Sequence, residues 1–451
     1  MADKSKISVT AAMAVGLGAI IGAGIFALSG SAIAYAGVSS LIAFVIVGIL
    51  VIMIAYQTGE LASILPHVKG GTYSYAYNAF GSELGFITGI IYYFSIATSV
   101  ATIALSFGAY FISTIFQISN PATVLGYERI PAIILIFGLA MVNLLGIRKA
   151  VKVDAALVAT KVVILVLFIG FAIYFAFFLG NFTLSNFAFG THNSSGTQNT
   201  GIGGIFLAST AIIFAYSGFQ IISTFTSKIK DGAKGAAKAI LGSVLISIIL
   251  YIAVIIGLLL LRPASTFNVN GDPLVATLQA VNAPEIFVIL IGVGALIATT
   301  SAALAIMLGA SRTLYQISED RLLPGILRKF NNKTDVAYNG VLISAAIAVV
   351  TLFVGNLYII AAISNFGLLF SWLMTSLAIL HFRRIKKSGS FKAPFFPYLS
   401  VISITAILVF MATLPSPALP IGVVMVLSLM IIYYAQREID QKRVVRVKLF
   451  K

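Results

Sequence analysis

Lys161 stands inside the stretch DAALVATKVVILVLFIG (154–170), seven residues past Asp154, in an apolar run that continues to about residue 179. In a helix that offset carries it about 10 Å along the axis. A lone charge in hydrocarbon costs about 2.5 to 3.5 kcal/mol on insertion scales, so residues of this kind face the interior of a helix bundle. Two readings of it stand: an ammonium that snorkels to the membrane surface along its own stem, or one whose donors meet buried acceptors. Two further segments interrupt their apolar runs with glycine. GLGAIIGAGIF (16–26) places Gly16, Gly18, Gly22 and Gly24 within nine residues, and FAYSGFQ (214–220) interrupts a second apolar run with Ser217 and Gly218. Each glycine costs about 1 kcal/mol relative to alanine in a helix interior. A helix broken at such a point exposes amide donors at one new end and carbonyl acceptors at the other, about half an elementary charge each. That is chemistry for holding an ion or a zwitterion. The other reading of Gly18 and Gly22 is a GxxxG contact that lets two helices pack closely.

The elements that must position these residues are membrane helices. With 60% hydrophobic and 9% charged residues, the chain lacks the polar surface to cover a soluble globule of its size, and the expected fold class is an all-α polytopic membrane protein. Crossing about 30 Å of hydrocarbon takes roughly 20 residues. Twelve apolar runs meet that need, at 11–36, 38–64, 86–117, 130–147, 154–180, 203–227, 237–261, 285–315, 338–355, 357–382, 397–414 and 418–435. They lack the alternation of barrel strands, and lipid offers backbone amides no partners, so the runs read as helices. The first is too long for a signal-peptide core and is expected to stay. There is no cysteine, and His67, His192 and His381 lie at or beyond the ends of the runs. No metal site and no cofactor are therefore expected. An enzyme would need a convergent nucleophile, base or metal cluster in the bundle, and the sequence offers none.

The net charge of +16 is topological. With the N-terminus in the cytoplasm, 26 of the 29 lysines and arginines fall on the cytoplasmic side, Arg129 and Arg262 fall outside, and Lys161 lies in the membrane. That bias is strong enough to set orientation. A cell-membrane location with both termini cytoplasmic follows, and no nucleic-acid partner is expected. The basic tail 437–451 obeys the same rule, with attraction to anionic lipid as its alternative use. The two interrupted runs, one and six, are five spans apart. Five is odd, so a repeat of that length returns inverted. The expected organisation is one domain, with helices one to five (11–180) and six to ten (203–384) as inverted repeats and two further helices at 397–436.

Four segments, in this order, resemble the amino acid/polyamine/organocation transporters: IGAGIF (21–26), YQTGELASILPHVKGGTYSYAYNAFG (56–81), NLLGIRKAVKVDAALVATKVVIL (143–165) and GASRTLYQISEDRLLP (309–324). The resemblance implies a LeuT-like fold of 5+5 inverted repeats plus two helices, twelve transmembrane helices in all, with an amino acid bound at the midplane between broken helices one and six. Carried over by position, it implies that the amides of Ala23, Gly24 and Ile25 meet the substrate carboxylate. It also implies that the carbonyls of Ile20, Ile21, Phe214 and Ser217 receive the ammonium, that Phe214 closes over the substrate, and that Gly22, Ala215 and Gly218 share the pocket. Some members of the family carry a lysine at the place of Lys161, where its ammonium resembles a stand-in for sodium. Gly18 is then the expected partner, with hydroxyls available from Thr299, Thr300 and Ser301. Gln220 stands where the family usually has an acid, Asp231-Gly232 where it has Asn-Pro, and a usual proline near Val336 is missing.

Desolvation penalises the charged form of any buried amine, which makes a proton the expected coupling ion. Asp154, two turns away on the same face, is either an entry point for it or a boundary acid. A lysine that never titrates would instead give an exchanger or facilitator. The pocket walls at Ala23, Ala215, Ser217 and Gly218 are small and uncharged, and no paired carboxylates await a polyamine, so the expected substrate is a neutral L-amino acid. An amino acid sensor on the same fold is the remaining alternative, although the longest segments between spans, 181–202 and 262–284, offer no sizeable soluble domain. Partners are then the amino acid, protons and lipid, with the protein a monomer or homodimer. Asn181 and Asn193 open formal glycosylation sequons.

Overall fold

The computed structural model describes residues 7–66, 71–118, 120–145, 150–178, 180, 183–187, 201–331 and 336–449. In chain order its helices are α1 (Val9–Ile20), α2 (Ala23–Ala36), α3 (Ser40–Ile64), α4 (Thr72–Phe80), α5 (Ser82–Ile115), α6 (Pro121–Tyr127), α7 (Arg129–Leu145) and α8 (Ala150–Phe177). They continue with α9 (Ile202–Ala215), α10 (Gly232–Leu261), α11 (Pro273–Ala280), α12 (Glu285–Glu319), α13 (Tyr338–Thr351), α14 (Leu357–Arg384), α15 (Tyr398–Ala412) and α16 (Ala418–Leu449). His67, His192, Asn181 and Asn193 lie outside the described residues, as does the side chain of Asp154.

Each of the twelve apolar runs falls on helix. Among the described residues, eight helical segments are long and apolar enough to cross a membrane by themselves, and a ninth joins them if the bent pair α6 and α7 is one span; α1, α13 and α15 are apolar but shorter. The chain is an all-α polytopic membrane protein. Large apolar side chains such as Ile134, Phe137 and Met141 on α7 and Ile249 on α10 point outward, the arrangement that lipid rather than water stabilises. Three elements differ from continuous spans. The first run is split into α1 and α2, and the sixth passes from α9 into a 3₁₀ segment, Phe219–Lys228. The last helix runs on to Leu449 instead of stopping at 435, because Gln, Arg, Glu and Lys beyond the apolar run are themselves good helix formers.

Helices α5 and α14 form the centre, α5 packing on both α12 and α14. Small hydroxylated residues hold them together: Ser95 donates to the carbonyl of Ser364 at 2.6 Å, and Ser364 returns a bond to the carbonyl of Ser95 at 2.9 Å. Inside a membrane such reciprocal bonds supply attraction that apolar burial alone does not. At one end of the bundle Glu60 on α3, 1% exposed, accepts two bonds from the Arg383 guanidinium of α14 at 2.7 Å each and a third from the amide of Ala393 at 2.7 Å. Breaking a buried pair from one side typically costs about 3 to 5 kcal/mol. Glu60→Ala is therefore expected to lower the melting temperature of the detergent-solubilised protein by about 5 °C or more, while Glu319→Ala, at an exposed acid, leaves it unchanged.

Candidate functional site: two broken helices and a buried lysine

Between α1 and α2, Ile21 (φ −74°, ψ 85°) and Gly22 (φ −134°, ψ −146°) leave helical geometry. Helix α9 ends at Ala215, and the chain resumes as a 3₁₀ turn after Gly218, whose φ of +104° favours glycine. A Cβ there would also come 2.5 Å from the carbonyl oxygen of Ala19, and one at Gly24 would collide with the backbone of Ala215. The glycines thus let the two breaks lie side by side. Ile20, Ile21, Ile25, Phe214 and Ala215 are all buried there, and Ser217 and Gly218 are partly exposed. The structure therefore brings Ile20–Ile25 and Phe214–Gly218 into one locus.

The amides of Ala23, Gly24 and Ile25 form the first turn of α2, where Gly22 provides no side-chain cap. Such amides have no partner within their own helix. The carbonyl ends differ from the expectation. The oxygen of Ile20 accepts from the Tyr251 hydroxyl at 2.8 Å and from the amide of Gly22 at 2.8 Å, and that of Phe214 accepts from the amide of Ser217 at 3.1 Å. A short turn folds back on itself, so Ile20, with two donors for its two lone pairs, is already satisfied, and Phe214 also receives the amide of Tyr216. Tyr251 on α10 also donates to the carbonyl of Ala215 at 3.1 Å, so one buried hydroxyl clamps both breaks. The signal that could have found it is plain in hindsight: it is the only aromatic residue in the run 237–261.

Lys161 on α8 is 1% exposed, and its Nζ donates to the carbonyl of Gly18 at 3.0 Å. That carbonyl belongs to the last turn of α1, where the amide of Gly22 has turned away to Ile20. The ammonium thus meets the negative end of the α1 dipole. Gly18 has a packing role too, because a Cβ would collide with Val158, one turn before Lys161; Gly22 lies against Ala302 and Gly24 against Ala215. The glycines face different neighbours, so they serve close packing and the break together. The hydroxyls of Thr299 and Ser301 donate to their own helix, to Ala295 at 2.8 Å and Ala298 at 3.2 Å, and Thr300 is partly exposed. Gln220 is 4% exposed, and neither its oxygen nor its nitrogen has a hydrogen-bond partner. Leaving buried carbonyls unpaired costs about 1 to 3 kcal/mol, so Tyr251→Phe is expected to reduce stability by that amount, read as a lower melting temperature in detergent.

A sequence model of the amino acid permease family matches residues 7–435. Similar proteins include the methylthioribose transporter of Bacillus subtilis (strain 168), 27% identical over 414 residues that cover 89% of this chain and 86% of that one. The branched-chain amino acid permease BcaP of Lactococcus lactis subsp. cremoris (strain MG1363) is 27% identical over 409 residues, 86% of this chain and 85% of that one. Cationic amino acid transporter 7, chloroplastic, of Arabidopsis thaliana is 28% identical over 405 residues, 87% of this chain and 68% of that one. With a family model matching residues 7–435 and transporters among its relatives, the chain belongs to the amino acid permease family and is a transporter rather than an enzyme.

Proposed function

We propose that this permease is a secondary active transporter that carries neutral L-amino acids across the cell membrane by alternating access, with Lys161 in the place of a sodium ion and a proton as the coupling ion. The observation that carries this reading is the Lys161 ammonium, buried and bonded to the freed carbonyl of Gly18 at 3.0 Å. A charged ammonium holds α1 against α8, and its deprotonation removes the charge from that bond. Helix α1 packs on α8, α10 and the 3₁₀ segment, whereas α2 packs on α9 and α11, so the halves have separate contacts to break. The matched interruptions five spans apart support inverted repeats at 11–180 and 203–384, and the lysine and arginine distribution supports cytoplasmic termini.

The substrate follows from the ends of the broken helices. A zwitterion places its carboxylate at the α2 amides and its ammonium at the carbonyls of Ile21 and Ser217, beside that of Phe214. No acidic or basic side chain lies among residues 20–25 or 214–220, and Gln220 keeps the neighbourhood neutral. The relatives' names span branched-chain and cationic amino acids and methylthioribose, so neutrality rests on this chain's residues and not on theirs. The Gly18 contact also suits a lysine that stays charged throughout, which would make the protein an exchanger.

Uptake into proteoliposomes separates these readings. The wild type is expected to accumulate a neutral amino acid when the outside is acidified, with no need for sodium. Lys161→Ala, which removes a charge-assisted bond of about 1.5 to 3 kcal/mol, is expected to lower the pH-driven component about 10- to 100-fold. Uptake indifferent to pH in the wild type, with exchange intact, would leave the exchanger.

A further inference from the structure

We propose that Glu128 and Asp272 form a proton-binding site on the external side of the bundle, and that a proton held there favours the closed position of α2, the outer half of the split span. Glu128 sits at the corner between α6 and α7 and is 1% exposed; Asp272 immediately precedes α11 and is 3% exposed. Oε2 of Glu128 and Oδ1 of Asp272 have no hydrogen-bond partner. One turn of α5 joins both acids to α2. Ser106 donates to the carbonyl of Gly271 at 2.7 Å, Gly108 lies against the carbonyl of Glu128 with no room for a Cβ, and Tyr110 donates to the carbonyl of Phe26 on α2 at 2.7 Å. From the other side, Gly30 of α2 packs on Pro273, where a Cβ would come within 2.8 Å. Displacement at either acid therefore reaches α2 through direct contacts.

The charged and titratable neighbours do not neutralise the pair. Helix α5 presents Tyr110. Arg129 of α7 commits its guanidinium to the carbonyls of Leu352 at 3.1 Å and Gly355 at 3.3 Å. Arg262 is bonded to Thr266 and to the carbonyl of Ala276. Glu285 of α12 is exposed and bonded to Gln117, and α2 offers only Tyr35, packed on Tyr358. Burial pushes Glu128 up to about 8, with Arg129 offsetting part of the rise and Asp272 adding to it; burial also raises Asp272. The charge of Asp272 thus acts on Glu128, while Asp272 is eased by bonds from Ser113 and its own amide.

The sign follows from linkage. On opening to water a carboxyl returns toward its ordinary pKa near 4, so the closed arrangement binds the proton more tightly. Below that range both arrangements are protonated and pH has no effect. As pH climbs from there toward 8, the closed arrangement is progressively disfavoured. Acid outside closes α2, and alkali outside opens it. The inference rests on α2 moving during transport, but not on Lys161 as the coupling group.

The chain has no cysteine, so Ser29→Cys on α2, at a site 1% exposed, reports opening through labelling by a membrane-impermeant maleimide outside proteoliposomes. Ser185→Cys, at an exposed position, corrects for the pH dependence of the thiol itself. The corrected rate is expected to rise about tenfold or more between external pH 5.5 and 8.5, since each unit of pKa difference is worth a factor of ten. Glu128→Gln and, separately, Asp272→Asn are expected to flatten that rise, and Lys161→Ala to keep it even while losing pH-driven uptake. A flat wild-type profile would overturn the proposal. So would a rise that survives both acid substitutions, one that vanishes only in Lys161→Ala, or one that follows sodium instead of pH.

Discussion

A carbonyl that has lost its helical partner and a buried ammonium are each costly in the interior of a membrane protein, and together they cancel much of that cost. The rest of the site depends on this pairing of Gly18 and Lys161. Were α1 continuous into α2, the Gly18 oxygen would bond to the amide of Gly22, and Lys161 would lose this contact with α1. The break at Ile21 and Gly22 is what makes a buried charge tolerable. The lysine in turn gives the break a partner on α8, a helix that α1 could not approach so closely without glycine at position 18.

Around this pairing the bundle divides into a frame and a split span. Reciprocal serine bonds tie α5 to α14, and the Glu60–Arg383 pair ties α3 to α14. These bonds bypass α1 and α2. The two halves of the split span instead rest on glycine contacts, on Lys161 and on the hydroxyls of Tyr251 and Tyr110, which reach one or two neutral backbone oxygens. Such contacts can be exchanged for water or substrate at less cost than a bidentate buried ion pair. The polar chemistry is thus distributed so that the strong bonds lie away from the split span and the replaceable ones lie on it.

Much of this was legible in the sequence because the signals are local. Apolar runs announce spans, clustered glycines announce a weak helix, and a lysine amid valines announces a buried charge. Where the reading fell short, the missing information was tertiary. Tyr251 stands out as the lone aromatic of its run, but the two carbonyls its hydroxyl bridges, Ile20 and Ala215, come together only in the fold. The carbonyl of Ile20 looks free until the tightness of its own turn is known. Glu128 and Asp272 lie in short polar connections, where an acid is ordinarily solvated; only the packing of α5, α7 and α11 over them removes that water. Burial of a loop residue leaves no mark on periodicity, so it cannot be read from one strand of sequence.

The two proposed proton sites would act by opposite electrostatics and yet in one direction. A proton on Lys161 adds charge and strengthens a bond to a helix end. A proton on the Glu128–Asp272 pair removes charge and relieves repulsion between buried carboxyls. In both cases the protonated form is the one that keeps a half of the split span against its neighbours, α1 against α8 and α2 against α5 and α11. On these proposals a single break in the first span would separate two latches with the same ligand, one facing each side of the membrane. Which half is released would depend on the side from which the proton departs, and that dependence would convert a pH difference into a direction of transport.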